Sequence, residues 1–183
     1  GGGGVNMFCR QYGFDLKIVD VGVDYDLSKV PGIINRKIAL GTNNFLYGPA
    51  MTEEQMEQAI AVGVEMVDKA IAEGSNIVCM GEMGIANTSP SSVWMSLFEN
   101  VPLEECVGAG AGLDNEGIRH KYDVLKRSVD KYLSMAPIDD TVEYAIRYFG
   151  GFEMVAAIGA LLLAADRKIT MMVDGFIRSA CAL

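Results

Sequence analysis

Between Asn76 and Met80 the chain passes through a short apolar run, NIVCM, and then directly into GEMGIANTSPSS, Gly81 to Ser92. The run reads as a buried strand, and a strand that gives way to a glycine-rich turn and then a helix is the building unit of open α/β sheets. In such sheets ligands bind in the crevice beyond the carboxyl ends of the strands. The turn carries one carboxylate, Glu82, between Gly81 and Gly84, which permit positive φ and close approach of backbone to a ligand. Asn87, Thr88 and Ser89 then offer short polar groups to cap a helix, and Pro90 suits its first turn. The segment presents a charge and several backbone donors at one point.

The rest of the chain repeats the alternation. Leu16 to Val21 is a β-rich apolar run ended by Gly22, and Arg36 to Leu40 is a weaker extended candidate. Thr52 with Gln55 forms a capping box opening a helix with Met56, Ile60, Val64, Val67 and Ile71 at helical spacing, which stops at Gly74. Further helices are predicted from about Ser89 to Glu99 (apolar face Val93, Trp94 and Leu97), from Asp114 as N-cap to about Met135, from Asp140 to Phe149 and from Phe152 to Ala165. The strand Ile169 to Val173 and a final helix follow. Strands separated by helices imply βαβ units, hence a Rossmann-like, mostly parallel sheet with flanking helices. The stretch from Asp24 to Pro49 is the least regular, either a long crossover or an excursion toward a function or a partner subunit.

At 183 residues, half of them apolar, a single α/β domain spanning 1–183 can bury a real core. A net charge of −9 argues against nucleic acid and against an anionic membrane surface. The most apolar window, Met154 to Ala165, is 12 residues long, well short of the roughly 20 that span a bilayer. Cys9, Cys79, Cys106 and Cys181 are scattered without a CxxC pair, so neither a zinc site nor a disulfide framework is indicated, and a reduced, cytoplasmic setting is expected. The chain opens on four glycines, without a basic n-region or a signal peptide, and ends at Leu183 inside a helical pattern. It reads as the central part of a longer protein.

A second glycine segment, Gly108 Ala109 Gly110 Ala111 Gly112 followed by Leu113 and Asp114, precedes a helix. Such a loop leaves backbone N–H groups to point at an anion, and the helix N-terminus adds partial positive charge, which suits phosphate. It is neither the dinucleotide fingerprint, because Leu113 stands where a glycine is needed, nor a P-loop. Lys121, two helical turns after Asp114, is placed to reach back toward the same anion. The competing reading is a tight turn followed by a solvated lysine. Asp20 and Asp174 each end a predicted strand, where a parallel sheet places functional side chains as readily as loop caps. His120, the sole histidine, lies between Arg119 and Lys121 and reads as solvated, which disfavours histidine catalysis and histidine metal sites. The 11 methionines read mainly as core filler. Glu143 and Glu153 read as ordinary helix carboxylates.

Taken together, GEMGIANT at Gly81 to Thr88, GAGAGLD at Gly108 to Asp114 with Lys121 after it, GGFE at Gly150 to Glu153 and VDGFI at Val173 to Ile177 resemble the nicotinate-nucleotide:dimethylbenzimidazole phosphoribosyltransferase family of cobalamin lower-ligand synthesis. VNMFCRQYG and IVDVGVD near the start match its pattern as well, so the resemblance covers nearly the whole chain. It implies transfer of the phosphoribosyl group of nicotinate mononucleotide to 5,6-dimethylbenzimidazole with inversion at the anomeric carbon, no cofactor and no metal, and a homodimer with the partner close to the site.

On that resemblance, Gly108, Gly110, Gly112 and Lys121 anchor the phosphate. Gly81, Gly84, Asn87 and Thr88 shape the nucleotide site, and Glu82 serves the ribose or the cation-like ribosyl centre. The sequence departs from the family pattern at Ala86, for glycine, at Ser89, for threonine, and at Ala111, for a threonine hydroxyl. The family's general-base glutamate lies in a carboxy-terminal segment and much of its base-binding wall in an amino-terminal one; neither is in this chain, which leaves the family's small helical domain largely missing. Relatives acting on phenols or other aromatic bases, and a nucleotide- or phosphate-binding domain without catalysis, are the competing functions.

Overall fold

A computed structural model of the chain describes residues 3–135 and 141–183. It opens with α1 (Gly4–Tyr12), a helix the sequence reading did not foresee, closed by Gly13 in the left-handed region. Strands β1 (Ile18–Asp20) and β2 (Ile33–Asn35) pair in parallel with Ile18 opposite Ile33. The second strand therefore lies before the Arg36 to Leu40 stretch where it was expected. The β-branched pair Ile33 and Ile34 forms the ladder, and the expected stretch only trails it, with Arg36 N–H donating to the carbonyl of Asp20 (2.9 Å) and Ile38 N–H to that of Val21 (3.0 Å).

Helix α2 (Glu53–Ala72) starts on the anticipated capping box, Gln55 N–H to Thr52 Oγ1 at 3.2 Å and Thr52 N–H to Gln55 Oε1 at 3.0 Å. Then follow β3 (Ile77–Cys79), α3 (Thr88–Glu99), a short unforeseen α4 (Leu103–Cys106), α5 (Asn115–Ser134), α6 (Val142–Phe149), α7 (Phe152–Asp166), β4 (Thr170–Met172) and α8 (Phe176–Cys181). The expected start of the sixth helix at Asp140 lies outside the described residues; Thr141 is its N-cap, accepting from Tyr144 N–H at 3.2 Å. Asp114 caps α5 as expected, through Gly117 N–H at 2.8 Å.

The class is α/β with parallel strands and flanking helices, but the strands form two separate pairs, β1 with β2 and β3 with β4. The second pair sets Cys79 opposite Met172. One of its faces packs on α7 through Met171, and the other leaves Ile77, Cys79 and Met172 exposed. The expectation that Asn76 to Met80 is a buried strand, with Cys79 inside, is corrected. An unbroken apolar run does not distinguish a strand covered on both faces from one covered on a single face.

The core forms where α2 crosses α7. Its buried residues on α2 are Ala59, Val62, Gly63 and Val67; of these the spacing marked only Val67, while the marked Met56, Ile60 and Ile71 pack partly buried against the core. The reason is close approach: a methyl group at Gly63 would overlap the carbonyl oxygen of Ala156, and one at Gly159 that of Ile60. Backbone-to-backbone contact replaces bulky side chains there. Around it Trp94, Tyr148, Phe149 and Met154 are fully buried, and each apolar side chain so removed from water stabilises the fold by roughly 1.5–3 kcal/mol. Tyr132 stacks on Tyr144 at 5.6 Å between ring centroids and meets Phe149 at 5.1 Å.

The irregular stretch before α2 docks on this core. Ala50 N–H donates to the carbonyl of Tyr148 (2.9 Å), Lys131 Nζ to that of Tyr47 (2.7 Å), and Phe45 meets Phe149 edge-on at 5.5 Å. Methionine is less uniformly core filler than expected. Met51 and Met154 are buried, but Met7, Met83, Met135 and Met172 are exposed.

Candidate active site

Two glycine segments, far apart in sequence, meet at the amino end of α3. The first is the turn after β3. Glu82 folds its carboxylate back over this turn, accepting from Gly84 N–H at 2.7 Å and from the Asn87 amide. Its apolar neighbours Met83 and Ile85 are 95% and 97% exposed. The backbone reaches α3 through Ala86, which sits at φ 62 in the left-handed region. The position at which the family pattern has glycine is thus one whose conformation favours glycine.

Asn87 is the N-cap of α3, yet its side chain makes no capping hydrogen bond. The amide instead turns inward, buried to 6% exposure, and donates both to Glu82 Oε2 and to Glu153 Oε1, the latter at 3.0 Å. The expectation that Asn87 caps the helix is corrected; two carboxylates compete for its hydrogens and win. Thr88, the first residue of α3, faces the second glycine segment.

That segment begins where Ser92 Oγ donates to the carbonyl of Cys106 at 2.7 Å, which fixes the loop's entry. Gly110 and Gly112 take φ 57 and φ 126, so the turn demands glycine at these two positions. A methyl group at Gly110 would lie 2.9 Å from Thr88 Oγ1. Lys121 reaches back from α5 to the entry of this loop. Its Nζ donates to Thr88 Oγ1 at 2.9 Å and to the carbonyl of Gly108 at 3.2 Å. An ammonium carries three hydrogens, so one remains for an anion. Burial pushes the Lys121 pKa below its ordinary value, because a desolvated ammonium without a counter-ion is disfavoured. The arrangement of a helix N-terminus, a hydroxyl, a glycine loop and a partly desolvated cation is one that a phosphate group satisfies.

The remaining candidates lie nearby without joining this cluster. Asp20 is 3% exposed; it accepts from Gly22 N–H (3.1 Å) and Val23 N–H (2.9 Å) and pairs with Lys37 at 2.7 Å. Burial raises its pKa, but the Lys37 ammonium and the two N–H groups outweigh it and leave the carboxyl below its usual range. Its loop abuts the start of α7, since a methyl group at Gly22 would lie 2.6 Å from Phe152. Asp174 is exposed in the turn after β4, at the same edge of the β3–β4 pair as Gly81. His120 is exposed.

Of two further residues at the centre of the cluster, the sequence reading missed Arg178 and took Glu153 for an ordinary helix carboxylate. Glu153, in the first turn of α7, shares Asn87 with Glu82. Arg178 on α8 is 6% exposed and donates to the carbonyls of Gly81 (2.7 Å) and Glu153 (3.4 Å). The signal for Glu153 was its place in GGFE; for Arg178 it was an arginine inside the otherwise small and apolar FIRSACAL.

Comparisons with known proteins identify the family. The phosphoribosyltransferase family matches residues 1–183, the whole chain. The chain belongs to this family. A nicotinate-nucleotide–dimethylbenzimidazole phosphoribosyltransferase of Bacteroides fragilis is 56% identical over 183 residues, all of this chain and 52% of that protein. One from Ralstonia nicotianae is 45% identical over 186 residues, all of this chain and 51% of that protein. Among solved structures, CobT from Thermus thermophilus superimposes with a TM-score of 0.90 at 34% identity, covering 100% of this chain and 54% of that one. The resemblance read from the motifs holds from end to end, and the chain spans about half the length of the curated relatives it matches. Among the described residues no helix is long and apolar enough to cross a membrane.

Proposed function

We propose that this phosphoribosyltransferase chain holds the donor side of a nicotinate mononucleotide-dependent transfer to 5,6-dimethylbenzimidazole, in cobalamin lower-ligand synthesis. The observation that carries the reading is the convergence of Lys121, Thr88 and the Gly108–Gly112 loop on one point, with Glu82 on the adjoining turn. In this reading the 5′-phosphate sits against Lys121, Gly110 and the amino end of α3. The ribose lies toward Glu82, and the exposed Met83 and Ile85 supply an apolar rim for an aromatic ring. A homodimer in the cytoplasm is part of the proposal.

Transfer breaks the bond between the anomeric carbon and the pyridinium nitrogen, whose electron pair leaves with nicotinate. A benzimidazole nitrogen attacks the same carbon from the opposite face, and its ring proton is then lost to a base. Fixing the phosphate orients the ribose for that attack. A carboxylate at Glu82 stabilises the positive charge that develops at the ribosyl centre. The resemblance assigns the proton acceptor to a carboxy-terminal segment of the family, so the residues described here serve the donor side of the reaction.

The test is calorimetric titration of nicotinate mononucleotide into the chain and into its Glu82→Ala and Lys121→Ala variants, with an assay for nicotinate released on adding dimethylbenzimidazole. Binding that both substitutions weaken supports the reading. Absence of binding refutes it.

A further inference from the structure

We propose that Glu153 is a positioning residue for Glu82, acting through the side-chain amide of Asn87 and held in place by Arg178. The inference rests on the reading of Glu82 as the ribose-facing carboxylate. Asn87 Nδ2 carries two hydrogens, and they go to two different carboxylates, Glu82 Oε2 and Glu153 Oε1. Asn87 is 6% exposed, so neither hydrogen can pass to water unless the turn opens. An N-cap asparagine ordinarily spends its side chain on the backbone of its own helix; here that bond is given up for the bridge between the two acids.

The surroundings are shaped around the Glu153 carboxylate. A methyl group at Gly84 would overlap it, and one at Gly151 would lie 2.7 Å from both of its oxygens. Glycine at these two positions, one in each motif, lets the carboxylate reach Asn87. Arg178 ties the arrangement together from behind. Its guanidinium donates to the carbonyl of Gly81, the peptide directly before Glu82, and to that of Glu153 itself. These two bonds fix the backbone beside each of the two carboxylates. A Glu153 that served only the α7 helix dipole would need neither the amide nor the two glycines.

The test uses the 183-residue chain with two readouts. In NMR spectra recorded without nucleotide, Glu153→Gln and Glu153→Ala are expected to shift both the Asn87 side-chain amide protons and the Glu82 carboxyl carbon. Unmoved Glu82 carbon resonances in both variants overturn the proposal; the glutamine variant covers the case in which alanine impairs folding. In calorimetry with nicotinate mononucleotide, Glu153→Gln is expected to weaken binding roughly tenfold, but to add nothing once Glu82 is alanine. Equal losses in the two backgrounds mean that Glu153 acts independently of Glu82, and the proposal falls. A native chain that does not bind the nucleotide refutes the donor-site reading instead, and the NMR result alone then decides the role of Glu153.

Discussion

Lys121 Nζ stands 2.9 Å from Thr88 Oγ1, so the lysine of α5 closes onto the first residue of α3. This contact joins the two glycine segments into one site and places a partly buried cation at the amino end of a helix. It also makes the site sensitive to alkaline pH.

Burial lowers the Lys121 pKa from 10.5, so between the lowered value and 10.5 the unfolded chain holds a proton that the folded chain has released. Stability contributed by this residue therefore rises with pH across that interval. Lys121→Met is expected to remove that part of the slope, measurable by urea denaturation over a pH series. A bound phosphate favours the ammonium, so nucleotide affinity should fall as pH climbs through the same interval, and calorimetry at several pH values checks it. Affinity insensitive to pH there would take Lys121 off the anion.

Ala86 adopts φ 62, a conformation costing about 1 kcal/mol for a residue with a Cβ. Ala86→Gly should relieve this strain, partly offset by the greater freedom of glycine in the unfolded chain. The expected result is unchanged or slightly raised stability together with tighter donor binding, since the turn then holds Glu82 and Asn87 without strain. Thermal denaturation and calorimetry on the pair of chains read both effects. A clear loss of stability would contradict the strain argument.

Gly63 and Gly159 let α2 and α7 meet backbone to backbone. Alanine at either position must push the helices apart, at a cost of about 3 kcal/mol. Chemical denaturation of Gly63→Ala and Gly159→Ala should show this, in contrast to an exposed helix position such as Ala61 on the outer face of α2, where substitution by serine is expected to be nearly neutral.

Cys181 is buried, and burial pushes its pKa up to about 11, whereas Cys79 is exposed on β3. Since the thiolate is the reactive form, a brief alkylation of the folded chain should label Cys79 and spare Cys181. Peptide mass spectrometry reads the difference. Labelling of Cys181 before unfolding would show that α8 opens away from the core.

Much of the architecture follows from local chemistry. The Thr52–Gln55 box and the Asp114 cap are formed by side chains bonding to backbone a few residues away, and both lie where the sequence placed them. Lys121 and its glycine loop were likewise legible, because helical geometry alone carries a residue two turns in back toward the N-terminus. The small-residue face of α2 was not, because apolar spacing reports size, while the helix partner selects for closeness. The exposure of Cys79 was not, because a run of apolar residues says nothing of how many faces a sheet has covered.

By itself the sequence determined the starts of α2 and α5, the two glycine turns and the family that the order of its motifs identifies. These are set by interactions within a few residues or by motif order, and need no knowledge of what packs where. Only the tertiary structure decided that Asn87 forgoes its cap to bridge Glu82 and Glu153, and that Arg178 lies behind them. The partners come from the turn between β3 and α3, from α7 and from α8, and the hydrogen bonds that join these elements exist only after the helices have packed.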